Sequence, residues 1–261
     1  MRNHILKAVQ THAAAEYPKE CCGLVISNGR KQHYLPCKNT ATDPNEEFRI
    51  EAQEYAAAED QGEVIGIVHS HPDATSRPSP RDLAMCEATD LPWHILSWPE
   101  GDLRTIVPTG NTLLLGRPFV HGAWDCWQVC ADWYKREWGI EFQTFQRADG
   151  WWERAEGPSL YEQAYAAAGF ERVSSPQRGD MIVMEVGRTK HPNHAGIYLG
   201  ADPALPGEAA GVHGAGPFLL HHLYGRLSEI IVFGGPWDER VRLVLRCRDP
   251  TPSTLMPRAR A

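Results

Sequence analysis

Ile5, Ala8, Val9 and Ala13 recur at helical spacing through residues 4–16 and Tyr17-Pro18 breaks the pattern, so a first helix is predicted there. The apolar run Cys21 to Ile26, the turn Ser27-Asn28-Gly29 and the run Lys31 to Cys37 read as a strand and its return partner. Phe48 to Asp60, rich in Ala and Glu, is helical in composition, and Glu63 to Val68 is a buried strand that gives way to a polar, Pro-rich loop, His69 to Pro80. Ser79 as N-cap and Pro80 at the first helical position open a short helix over Arg81 to Ala88. His94 to Trp98 and Leu103 to Val107 close this set as strands.

Pro108-Thr109-Gly110-Asn111 is the strongest internal punctuation, and the apolar run Leu113 to Leu115 restarts the pattern beyond it. Cys126 to Trp138 and Ser159 to Gly169 read as helices, the second closed by its glycine, and Met181 to Val186, Ala195 to Leu199 and Phe218 to Leu223 as strands. Residues 201–217 form a Gly/Pro/Ala loop. The pattern predicts domains at 1–108 and 112–240, with residues 248–261 as a flexible tail.

Composition narrows the function. In 261 residues, 42% hydrophobic and 23% charged content supports packed cores. The excess of 33 acidic over 26 basic side chains, net −7, argues against nucleic acid or an anionic membrane surface as partner. No apolar run approaches the roughly 20 residues of a membrane helix, and no signal-peptide pattern opens the chain. Seven cysteines are too few and too scattered for a disulfide scaffold, which implies folding in a reducing cytosol.

Candidate chemistry falls in both halves. In His69-Ser70-His71-Pro72, two imidazoles at i and i+2 on an extended segment project to one side, and Asp82 at the start of the next helix adds a carboxylate. Three protein ligands with a fourth position open to water are the arrangement of a catalytic zinc site, with Glu20 available as general base. Together with Pro18-Lys19-Glu20-Cys21-Cys22-Gly23, these residues resemble the JAB1/MPN/Mov34 (JAMM) metalloprotease family over roughly residues 1–107. The resemblance implies an α/β sandwich, Zn2+ held by His69, His71 and Asp82, Glu20 as acid/base, and Ser79 as a support for the tetrahedral oxyanion. His94 and Asp73 are nearby but are given no role.

In the second half Asp125-Cys126 opens a helix, where unpaired backbone N–H groups and the positive end of the macrodipole favour a thiolate. His194 heads the segment His194-Ala195-Gly196-Ile197-Tyr198-Leu199-Gly200 as candidate base, and Leu219-Leu220-His221-His222 can supply a group to orient it. With Arg178-Gly179-Asp180, this order resembles the NlpC/P60 cysteine peptidases, papain-like α+β domains, from about Leu113 to Trp237. The resemblance implies Cys126, His194 and a third histidine as catalytic residues. His221 is favoured over His222, which points to the opposite face, and over His213 in the loop. Phe119-Val120-His121-Gly122 departs from the Y-x-x-G-G stretch common upstream of the family's cysteine. Trp124, Trp127, Trp133, Trp138, Trp151 and Trp152 cluster around the cysteine helix, either as core or as the lining of a groove for sugar or peptide; the other cysteines read as small apolar fillers.

The direct fusion of the two resembles a family of tail assembly proteins of lambda-like phages. It implies a hydrolase with two sites, a zinc isopeptidase-like site in the first half and a cysteine site in the second that cleaves peptidoglycan stem peptides, with other tail proteins as partners. Synthesis would be in the bacterial cytoplasm, with action from the virion tail tip in the periplasm. The alternative is a tail-assembly factor that uses both folds only as docking surfaces.

Overall fold

The computed structural model describes residues 1–29, 31–110, 113–142, 150–153 and 159–248. The chain divides into two compact units at the 111/112 junction. The first runs α1 (Asn3–Glu16), β1 (Cys22–Ser27), β2 (Gln32–Cys37), α2 (Ala52–Glu59), β3 (Glu63–Pro72), α3 (Pro80–Thr89), β4 (Trp93–Trp98) and β5 (Leu103–Ile106). Its sheet has the order β2-β1-β3-β4-β5, antiparallel except for the parallel β3–β4 pair. Alternation along β1 divides the core between the two faces. Val25 packs with Ile5, Val9 and Ala13 of α1, whereas Leu24 and Ile26 pack with Ala58 of α2 and Cys86 of α3. Each of the buried Ile, Val and Leu side chains among these contributes roughly 1.5–3 kcal/mol.

Two boundaries correct the expectation. The segment His69 to Pro72 is not loop but the end of β3, because β4 runs beside it in parallel register from His69↔Ile95 to Pro72↔Trp98. Helix α2 begins at Ala52 rather than Phe48, whose ring leaves the helical path to stack on His69.

The second unit runs α4 (Cys126–Trp138), α5 (Leu160–Ala164), β6 (Phe170–Arg172), β7 (Met181–Met184), β8 (His194–Gly200), β9 (Phe218–His221), β10 (Glu229–Val232) and β11 (Val241–Cys247). The antiparallel sheet has the order β10-β9-β8-β7-β11-β6. Cys130, Trp133 and Tyr134 of α4 pack on Val183, Ala195, Ile197, Leu220 and Leu243, while Ile182, Met184 and Leu219 face Phe233 on the other side. The regular part of the helix predicted to Gly169 ends at Ala164, and the turns that continue from it close at Gly169, which takes φ +86° while the Phe170 amide reaches back to the Tyr165 carbonyl at 2.9 Å. Strands β6, β10 and β11 are not among the predicted runs, and β11 carries the sheet past residue 240, the end expected for the second domain. Asp180 fastens β11 to the start of β7 by accepting from Arg246 Nε at 2.9 Å and Nη2 at 2.7 Å. The expected tail falls outside the described residues beyond Arg248. Among the described residues no helix is long and apolar enough to cross a membrane.

Gly179, in the motif beside Asp180, has φ +94°, and a Cβ there would meet the Trp138 ring at 2.2 Å. Gly179→Ala is therefore expected to cost about 2–4 kcal/mol, as a shift in the denaturant midpoint with unchanged slope.

Two candidate catalytic sites

The first site is built where β3 meets α3. His69 Nε2 lies 3.1 Å from His71 Nε2 and 3.2 Å from Asp82 Oδ1, and His71 Nε2 lies 3.4 Å from Asp82 Oδ2. Ligands about 2.0 Å from a tetrahedral zinc stand about 3.3 Å apart, so this donor set fits the ion in both chemistry and spacing. The supports are local. His71 Nδ1 is bonded to the Thr75 carbonyl at 2.9 Å, which leaves Nε2 to face the site, and Phe48 stacks on His69 at 4.8 Å. Ser79 and Asp82 form a reciprocal capping box, the Ser79 amide donating to Asp82 Oδ2 at 2.7 Å and the Asp82 amide to Ser79 Oγ at 3.1 Å. Ser79 thus fixes the aspartate whatever further role its hydroxyl has.

Glu20 stands just before β1 and is buried. Burial above all raises its carboxyl to about 8; His71 opposes the shift and Asp82 adds to it. Burial holds His69 below its usual value; at His71 burial is outweighed by the bonds to Asp82 and Thr75, and its value is raised. The same two imidazoles, against the effect of burial, keep Asp82 ionised far below the usual carboxylate range.

Two residues outside the predicted set hold Glu20. Ser70, between the histidines, turns to the opposite side of β3, accepting from the Cys21 amide at 2.8 Å and donating its own amide to the Cys21 carbonyl at 3.0 Å. Asn39 Nδ2 reaches the carbonyls of Glu20 and Glu47, while its Oδ1 accepts from the amides of Ala41 and Arg49. Of the two residues left without a role, His94 bonds Thr105 on β5, and Asp73 accepts from the Tyr17 hydroxyl.

The second site gathers at the start of α4. Asp125 is the N-cap, and its carboxylate accepts from the amides of Gln128 and Gly122, each at 2.9 Å, placing Cys126 at the first helical position. His194, at the head of β8, lies 2.9 Å through Nε2 from Nδ1 of His221, at the end of β9. Gly196 is the register partner of His221; a Cβ there would meet the Leu220 carbonyl at 2.8 Å and the His221 side chain at 3.1 Å. His222 turns to the Arg226 carbonyl and the Phe119 ring, and His213 is an exposed loop residue, so His221 is the histidine brought to His194.

Cys126 and His194 line one cavity of about 1310 Å3 together with Phe119, His121, Trp127, Trp151, Trp152 and Tyr161. The tryptophans divide between the two expected roles: Trp133 is core, Trp151 and Trp152 line the cavity, and Trp127 serves both. Sequence reasoning passed over Tyr161, whose hydroxyl is 3.8 Å from Cys126 Sγ, and Asn193, whose carbonyl is 3.9 Å from it. The Asn193 side chain bonds both backbone groups of Val186 and so sets the entry of His194 into β8.

Burial and the neighbouring His221 and His222 keep His194 far below its usual pKa, and burial brings His221 and His222 down to about 4. The unfolded chain takes up protons below about 6.5 that the folded unit refuses, so this unit's stability is expected to fall as pH drops from 6.5 towards 4, by on the order of a few kcal/mol. Thermal unfolding across that range tests this; a midpoint for the second unit that does not move would contradict it.

Residues 2–107 match the family of prokaryotic homologs of the JAB domain, and residues 116–246 match the NlpC/P60 family. Tail tip assembly protein K of Escherichia phage N15 is 45% identical over 250 residues, covering 95% of this chain and 96% of that protein. Its namesake from Escherichia phage lambda is 33% identical over 198 residues, 75% of this chain and 88% of that protein. A CysO-cysteine peptidase of Mycobacterium bovis is 27% identical over 105 residues, 37% of this chain and 71% of that protein.

Proposed function

The chain belongs to the family of tail tip assembly protein K, with a JAB and an NlpC/P60 domain, and from that premise we propose that it is a peptide hydrolase with two sites, the second directed at peptidoglycan stem peptides. The observation that carries this reading is that Cys126 and His194, the latter bonded to His221, line one aromatic-walled cavity.

In the second site, His194, kept neutral by burial, takes the Cys126 thiol proton. The thiolate attacks the amide carbonyl, the imidazolium returns its proton to the leaving amine, and water releases the acyl group. His221 orients the base, and the Trp151–Trp152–Tyr161 wall offers apolar faces to a peptide or its attached sugar. In the first site His69, His71 and Asp82 would hold zinc, which when bound supplies Lewis acidity towards an amide carbonyl and towards water. Glu20, poised near neutrality, takes a proton from the attacking water and delivers it to the leaving amine, while Ser79 supports the developing oxyanion. The partners are stem peptides and other tail proteins; the protein is made in the host cytoplasm and acts from the tail tip in the periplasm.

Purified protein incubated with muropeptides and followed by mass spectrometry tests the reading. Cleavage at one peptide bond supports it; intact muropeptides would leave a docking role for the second domain.

A further inference from the structure

The Cys126–His194–His221 reading leaves one buried polar atom unexplained. For His194 to take the thiol proton on Nδ1, its Nε2 must carry hydrogen and donate to His221 Nδ1, 2.9 Å away. His221 must then carry its own hydrogen on Nε2. That nitrogen is buried and, among the described residues, makes no hydrogen bond. In the opposite arrangement His221 donates from Nδ1 to His194 Nε2, which leaves hydrogen on His194 Nδ1, where it cannot act as base. Whatever stabilises hydrogen on His221 Nε2 therefore selects the working form of the whole pair.

The group placed to do so is Glu229. It is the register partner of His221 across the β9–β10 ladder, and its Oε1 lies 4.0 Å from His221 Nε2. Directly opposed residues on adjacent strands hold their Cβ atoms about 5 Å apart, so the carboxylate needs only a side-chain rotation to accept the bond. Its side chain is 46% exposed, so packing leaves room for that rotation. The other groups around His221 do not compete. His194 occupies Nδ1, Trp237 stands edge-on at 5.0 Å, His222 faces the Arg226 carbonyl, and the Arg226 guanidinium is no acceptor.

We propose that Glu229 is a positioning residue of the cysteine site, accepting the His221 Nε2 hydrogen and so fixing the relay Glu229–His221–His194–Cys126 in the form that can deprotonate the thiol. The proposal rests on the catalytic reading of Cys126 and His194. No bond is made or broken at Glu229, which acts through a hydrogen bond and its charge.

The test is the rate at which iodoacetamide alkylates Cys126 in the full chain between pH 5 and 9, read by mass spectrometry of the Cys126 peptide. His194→Ala should remove the neutral-pH reactivity of the wild type. Glu229→Gln keeps the shape but not the charge, and should lower that reactivity by about 10–100-fold and move the profile to higher pH, with an unchanged unfolding midpoint. Glu229→Asp should recover part of the loss. A Glu229→Gln profile that coincides with the wild type while His194→Ala loses reactivity would overturn the proposal and leave the catalytic reading standing. A wild type whose Cys126 reacts no faster than in His194→Ala would overturn both.

Discussion

Cys126→Ala is expected to lower stem-peptide cleavage by on the order of 10^4-fold or more while leaving the first site's metal content unchanged. The size of the loss follows from what the thiol does alone. His194 and His221 can move a proton, but without sulfur there is no nucleophile for the base to activate and no acyl intermediate to divide the reaction. Two other cysteines lie close enough to ask whether they could substitute. Cys130, one turn along α4, is fully buried, and burial drives its thiol far above its usual pKa, so it offers neither thiolate nor access. Cys247 lines the same cavity, but on β11, which β7 separates from the strand that carries His194. The measurement is the rate of fragment release from muropeptides at equal protein concentration. Cleavage by Cys126→Ala at the wild-type rate would remove Cys126 from the mechanism.

How much of these sites is legible in the sequence depends on the range of the interaction that makes each residue matter. His69 and His71 are two residues apart, and Ser79 and Asp82 three apart, so a strand or a helix end alone brings each pair together. Cys126 after its Asp125 cap is legible for the same reason. Asn39 is not, because its side chain gains meaning only when residues 39–49 fold back over Glu20. Tyr161 lies 35 residues from Cys126 and reaches it only through tertiary packing. Strand β11 shows why strand counting fell short. Val241-Arg242-Leu243-Val244-Leu245-Arg246 interleaves two arginines with its apolar positions and follows a 3-10 turn, Gly235–Arg240, yet it takes an interior place between β7 and β6 because Arg246 has Asp180 as partner. His69 to Pro72 shows the converse: polar residues with Pro read as loop, but β4 pairs along the whole segment, with β1 beside His69, and supplies the backbone partners that make it strand.

The first site separates metal holding from proton transfer, and two substitutions should divide them. His69→Ala removes a fully buried ligand whose Nε2 stands between His71 and Asp82, leaving two donors and a gap where the third had been. Zinc content should fall from about one ion per chain to background, because two ligands seldom retain the ion against a chelator. Added zinc should also cease to raise the unfolding midpoint of the first unit. A ligand at a hundred times its Kd stabilises the folded form by about 2.7 kcal/mol, so the loss is readily measured. Glu20→Gln should behave differently. Glu20 lies outside the His69–His71–Asp82 donor set, and its backbone is held by Asn39 and the Pro44 carbonyl whatever its side chain carries. Its variant should bind zinc as the wild type does and keep the zinc-dependent rise in midpoint. It should also lose the burial cost of ionising a carboxyl raised to about 8, so the chelated variant should not share the wild type's loss of stability between pH 4.5 and 8, where the folded wild type holds a proton that the unfolded chain releases. Once a substrate is in hand, its hydrolysis should drop by about 10^2–10^4-fold, the usual cost of removing a general base. The assignment fails if zinc still shifts the midpoint in His69→Ala, or if Glu20→Gln abolishes that shift, since either result would place the ion on a different set of residues.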